Sequence, residues 1–97
     1  MAYNSKNQVS EKLVDIPVGK RGDVIRVAKI TDSEVESFDI RRMYLNDNDE
    51  LQFTSKGIRI KKENISEVVC AIMRGLDTDT YNETITKMNK MQEDNEF

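Results

Sequence analysis

The stretch SFDIRRMYL, residues 37–45, decides how this chain reads. Side chains of an extended strand alternate between two faces, so Phe38, Ile40, Arg42 and Tyr44 share one side and Asp39, Arg41, Met43 and Leu45 the other. Just before it, DVIRVAKIT (residues 23–31) is rich in β-branched side chains and reads as a second strand, joined through the turn residues Asp32-Ser33-Glu34. Just after it come Asn46-Asp47-Asn48-Asp49, each able to bond its own backbone and close a turn. Leu51-Gln52-Phe53 then reads as a short third strand, and GIRIKK (57–62) as a fourth with Ile58 and Ile60 inward. Four strands joined by three short connections make an antiparallel meander.

The period switches after this point. Ile65, Val68, Val69, Ile72 and Leu76 recur at helical spacing and predict an amphipathic helix with one apolar stripe. Asn64 with Glu67 three residues on reads as a capping box, with Lys62 as an alternative start one turn earlier, and Gly75 is a stop signal. Tyr81, Ile85 and Met88 continue a thin stripe, so 77–90 reads as a weak second helix or partner-dependent segment and 92–97 as disordered. At the other end, residues 1–12 are polar and lack a period, which reads as a loosely attached arm. Leu13 to Val18 alternates weakly and adds an edge strand at most, since Pro17 cannot donate to a central ladder. The expected organisation is an N-terminal arm over 1–19, a ββββα domain over 20–76 and an acidic extension over 77–97: an α+β protein with a curved four-stranded sheet.

Composition narrows the chemistry. The 97 residues carry no histidine and one cysteine, Cys70, so neither a disulfide framework nor a Cys/His zinc site can form within the chain. That usage fits a reducing, cytoplasmic setting. No run approaches the roughly 18 apolar residues of a membrane span. The acidic turn Asp47-Asn48-Asp49-Glu50 lacks the glycine and distant bidentate glutamate of a calcium loop and reads as a hairpin tip. Asp32, Glu34 and Glu36 have no apolar surroundings to raise a carboxyl pKa, and Cys70, between Val69 and Ala71, reads as a buried small hydrophobe. No phosphate-cradling glycine loop or nucleophile elbow is present, so neither an enzyme nor a bound cofactor is expected.

The charge is unevenly distributed. Residues 20–62 hold ten cations against eight carboxylates, whereas 63–97 hold three against eight. Arg41, Arg42 and Tyr44 lie on one strand, and Phe53, Lys56, Arg59, Lys61 and Lys62 on the next two. Cations tracking phosphates beside rings that stack on bases are one way to hold a single strand, although cations on an exposed sheet face also serve solvation alone.

Residues 38–44, FDIRRMY, followed by a polar turn, Glu50-Leu51 and Lys56-Gly57-Ile58, resemble the transcriptional coactivator family called positive cofactor four. The similarity spans about residues 24–76. The resemblance implies a curved four-stranded antiparallel sheet followed by a helix, in dimers that bind single-stranded DNA with little sequence preference. By position it makes Arg41 a DNA-contacting arginine, puts Tyr44 where a stacking tryptophan usually stands, and matches Lys56 and Gly57 to a Lys-Gly pair opening the last strand. Arg41 and Tyr44 are three apart, so a bulge has to bring them onto one surface.

The expectation is thus a non-enzymatic homodimer that binds single-stranded DNA, with RNA as an alternative ligand, in transcription, replication or repair. Arg41, Arg42, Lys56, Arg59 and Lys61 would hold phosphates, with Gly57 beside them, and Tyr44 with Phe53 would stack on bases. Ile65, Val68, Val69, Ile72 and Leu76 would form the dimer contact. The competing expectation is a transcription-associated adaptor that keeps the fold but binds protein through its acidic tail.

Overall fold

Local turn chemistry sets the hairpins. In the computed structural model, which describes residues 8–95, four strands follow one another as β1 (Gln8–Pro17), β2 (Val24–Asp32), β3 (Val35–Leu45) and β4 (Leu51–Lys61). Two helices come next, α1 (Lys62–Gly75) and α2 (Thr78–Asn95). The β2–β3 turn is two residues long, and both Ser33 and Glu34 have positive φ, 51° and 74°. That conformation matches the right-handed strand twist, but non-glycine residues adopt it at a cost. At the β3–β4 turn the Asn46 carboxamide oxygen accepts from the backbone N–H of Asn48 (2.8 Å) and Glu50 (3.0 Å). Asp49 closes that turn at φ 61°. The acidic tetrapeptide is therefore a hairpin tip, held by its own backbone.

The sheet is antiparallel in the order β1-β2-β3-β4, so β1 and β4 are its edges. The count of four strands matches expectation, but two members differ. Residues 8–12, read as part of a loose arm, belong to β1, because they complete the ladder along the exposed side of β2. Residues 51–53 and 57–61, read as separate strands, are two ends of β4. Between them a bulge sets the pairs Arg41↔Gly57 and Met43↔Phe53, so residues 54–56 oppose Arg42 alone. The arm's residues 1–7 lie outside the described residues.

Register sorts the side chains into two faces. One carries Asp15, Arg26, Asp39, Arg41, Arg59 and Lys61, and the other Ile16, Ile25, Val27, Phe38, Ile40, Ile58 and Ile60. The buried residues Ala28, Ile30, Ser37, Asp39 and Met43 all lie on the first, charged face. Ile58, expected to point inward, shares the apolar face with Ile40 but remains 57% exposed.

The chain divides into two compact units, one ending at Ile65 and the other beginning at Ser66. Within the helical unit, Asp77 caps α2: its carboxylate accepts from Thr80 N–H at 2.7 Å, and its carbonyl from Tyr81 N–H at 2.9 Å. This holds the Asp77 carboxyl below its ordinary pKa, chiefly through the Thr80 backbone bond. The helix runs on to Asn95, which corrects the expectation of disorder over 92–95; residues 96–97 lie outside the described residues. Cys70, expected to be buried, is exposed. Its sequence neighbours Val69 and Ala71 do not shelter it, because adjacent residues on a helix point about 100° apart. Of the expected dimer stripe, Ile65, Val68 and Leu76 are half-buried while Val69 and Ile72 are exposed. No helix among the described residues is long and apolar enough to cross a membrane.

Candidate functional site

The bulge in β4 organises the charged face. The Thr54 hydroxyl donates to the Arg42 carbonyl at 2.6 Å and accepts from Lys56 N–H at 3.1 Å, tying backbone groups that the interrupted ladder leaves unpaired. Arg41 crosses from β3 and donates from Nη1 to the Thr54 carbonyl at 2.8 Å. Its Nε and Nη2 each donate to Asp39 at 3.0 Å. Residues two apart on a strand share a face, so a carboxylate and a guanidinium at this spacing can pair with two parallel bonds. The Asp39 bond pushes Arg41 above its ordinary pKa, keeping it cationic throughout. Gly57 lies directly opposite and makes room: a Cβ there would stand 2.8 Å from Arg41 Cζ and 2.9 Å from its Cβ and Cγ.

Arg59 enters the same cluster, with Nε 3.5 Å from Asp39 Oδ1, and its side chain is about half exposed. One buried carboxylate thus faces two guanidinium groups. Further along the sheet Arg26 donates to both Asp15 oxygens at 2.8 and 2.9 Å, lowering the Asp15 carboxyl below its ordinary pKa mainly through that bond. Lys61 ends the row without an ion pair among the described residues.

Among the described residues, the face contains one exposed ring. Phe53 pairs with Met43 and therefore shares the side of Arg41, Arg59 and Lys61; it is 74% exposed, whereas Met43 is 2% exposed. Tyr44, 46% exposed, lies on the opposite face with Arg42. The pairing of β3 with β2 stays regular from Arg41 to Met43, because the extra residues are in β4 rather than β3. The bulge therefore does not bring Arg41 and Tyr44 together. Arg42 pairs instead with Asp23 at 3.1 Å, and Asp23 also accepts from Leu45 N–H at 3.1 Å. The Leu45 bond, then Arg42, holds the Asp23 carboxyl below its ordinary pKa. Lys56 sits exposed within the bulge.

Of the expected binding residues, Arg41, Phe53, Gly57, Arg59 and Lys61 share one face, Lys56 lies at its margin, and Arg42 and Tyr44 lie behind it. Reading the sequence overlooked Asp39 and Thr54, the anchors of this arrangement. The Asp-x-Arg spacing was a signal for the first; nothing local marked the second. A bulged edge strand carrying Lys56, Arg59 and Lys61 also has a purely structural use, since charges and bulges discourage edge-to-edge pairing. Among the described residues, no group of three His, Cys, Asp or Glu side chains could hold a metal ion. The chain matches no family model, no curated protein sequence and no solved structure.

Proposed function

We propose that this protein binds single-stranded nucleic acid, DNA foremost, without catalysing a reaction on it, along the charged face of β4. The observation that carries this reading is Phe53, a ring 74% exposed on the face that also presents Arg41, Arg59 and Lys61. Leaving such a ring in water gains nothing for folding, whereas a base stacked on it gains roughly 1–3 kcal/mol. Arg59 and Lys61, with Lys56 beside them, supply the phosphate contacts; Arg41 serves mainly to hold the bulge. The resemblance to the coactivator family supports the same reading and, with it, a role in transcription, replication or repair as a homodimer joined through an amphipathic α1.

Fluorescence polarisation with a labelled twenty-nucleotide single strand at two salt concentrations tests it. The log–log salt slope should be about -0.7 per phosphate neutralised. Phe53→Ala should weaken binding roughly 5- to 150-fold, and Tyr44→Ala, on the other face, much less. No binding at low salt, or tighter binding to duplex, refutes the reading. Light scattering should report twice the chain mass, and a monomer at micromolar concentration refutes the dimer.

One observation favours a second reading, a protein-binding adaptor: Arg26, Arg41, Arg42 and Arg59 each already face a carboxylate of the same chain. If the parent protein ignores oligonucleotides at low salt, this reading replaces the first.

A further inference from the structure

At the β2–β3 end of the charged face lies an open groove of about 600 Å³, lined by Ile30, Asp32, Ser33, Val35, Ser37, Arg59 and Lys61. Every strand residue among them falls on the charged face by register. Val35, 60% exposed, gives the groove its accessible apolar wall, and Ile30 and Ser37 lie buried beneath it. Lys61 and Arg59 flank the β4 side with two positive charges, and Asp32 opposes them with one carboxylate. Among the described residues, the Asp32 side chain accepts one long hydrogen bond, from the Ser33 hydroxyl at 3.4 Å. An exposed apolar wall at Val35, two cations on the β4 side and a carboxylate on the other match the ring, phosphate and donor groups of a nucleotide.

Building on the nucleic-acid reading above, we infer that this groove is a base subsite that prefers nucleobases carrying an exocyclic amine. The phosphate of the seated nucleotide meets Arg59 and Lys61, and the Asp32 carboxylate accepts from the amine. A carboxylate only accepts, so it pairs with the N4 amine of cytosine and repels the O4 acceptor that uracil or thymine presents there. The groove also gives the strand a path. Phe53 is opposite Met43 and Lys61 is opposite Ser37, six residues apart on β3, or about 20 Å. A chain stacked on Phe53 at one end and seated in the groove at the other follows β4 throughout. The face therefore combines a ring indifferent to sequence with a subsite that discriminates.

The test compares polarisation titrations of the parent protein with labelled twenty-residue oligodeoxycytidylate and oligodeoxyuridylate at pH 7.5, two strands of equal charge whose rings differ only at C4 and N3. One hydrogen bond to a charged acceptor predicts about fivefold or greater preference for the cytosine strand. Asp32→Ala should bring the ratio to about one, and because it also removes a negative charge, the uridine strand should bind no more weakly than before. Val35→Trp, which fills the groove from an exposed position, should lower the ratio by a second route. Equal affinity of the parent for the two strands overturns the inference but leaves the nucleic-acid reading standing. A preference that survives Asp32→Ala also overturns it. Binding of neither strand overturns both together.

Discussion

Replacing Gly57 with alanine separates an argument from propensity and an argument from packing, because the two give opposite signs. Gly57 sits in a strand, and its φ is not in the left-handed region. On that ground alone Gly57→Ala should stabilise by about 0.4–1 kcal/mol, since the unfolded chain loses freedom that the folded chain never used. The structure predicts the reverse. The new methyl would lie 2.8–2.9 Å from three carbons of Arg41, and one of them, Cβ, cannot swing away without moving β3. Either Arg41 leaves Asp39 and the Thr54 carbonyl, or the strands separate at the bulge. Overpacking of this kind costs about 1–3 kcal/mol. For a domain of this size each kcal/mol lowers Tm by about 4–8 °C, so Gly57→Ala should melt at least about 4 °C below the parent by circular dichroism. Gly75→Ala is the control: a Cβ there meets nothing within 4 Å, and it should be neutral or stabilising. Combining Gly57→Ala with Arg41→Ala should cost less than the two single changes added, because two of the three close contacts disappear. A Gly57→Ala protein as stable as the parent, or strict additivity in the double variant, refutes the packing of Arg41 over this backbone.

The β2–β3 turn should respond in the other direction: Ser33→Asn with Glu34→Gly suits both positive-φ positions and should raise stability by about 1 kcal/mol in urea unfolding. Acid should weaken the fold through Asp15, Asp23, Glu36 and Asp77, whose carboxyls all lie below their ordinary pKa in the folded chain. Their stabilisation is complete above the unfolded value of about 4 and is lost as pH falls through the folded values, so Tm should hold steady from pH 7 to 5 and drop below about pH 4. Asp15→Asn should remove part of that acid sensitivity and cost about 1 kcal/mol at pH 7, since its partner Arg26 is only partly buried. Asp77→Ala should lower helical ellipticity by uncapping α2 while leaving the strand signal unchanged.

Much of the backbone was legible from local pattern. The alternation in residues 37–45, the asparagine and aspartate turn, and the change from a period of two to one near four are short-range properties, and the structure forms strands, hairpin and helix there. Local pattern was least informative where an element depends on its neighbour. Residues 8–12 carry no apolar period, yet they extend as β1 because β2 offers an open ladder beside them. The turn-like Thr54-Ser55-Lys56 looks like a break between strands, but it is a bulge within one.

The candidate site followed the same division. The supply of cations and rings between Arg41 and Lys61 is a property of the sequence, and so is the alternation that separates Arg41 from Tyr44. Which ring joins the cations was decided by the β3–β4 register. Residues 54–56 oppose Arg42 alone, and that count places Phe53 opposite Met43, on the face of Arg41 and Arg59. The register is held by the Thr54 hydroxyl on the Arg42 carbonyl, by Arg41 on the Thr54 carbonyl, and by the missing side chain of Gly57. These contacts join residues 12 to 16 positions apart, beyond the reach of any local period. A linear sequence lists such groups, but their geometry exists only once two strands lie side by side.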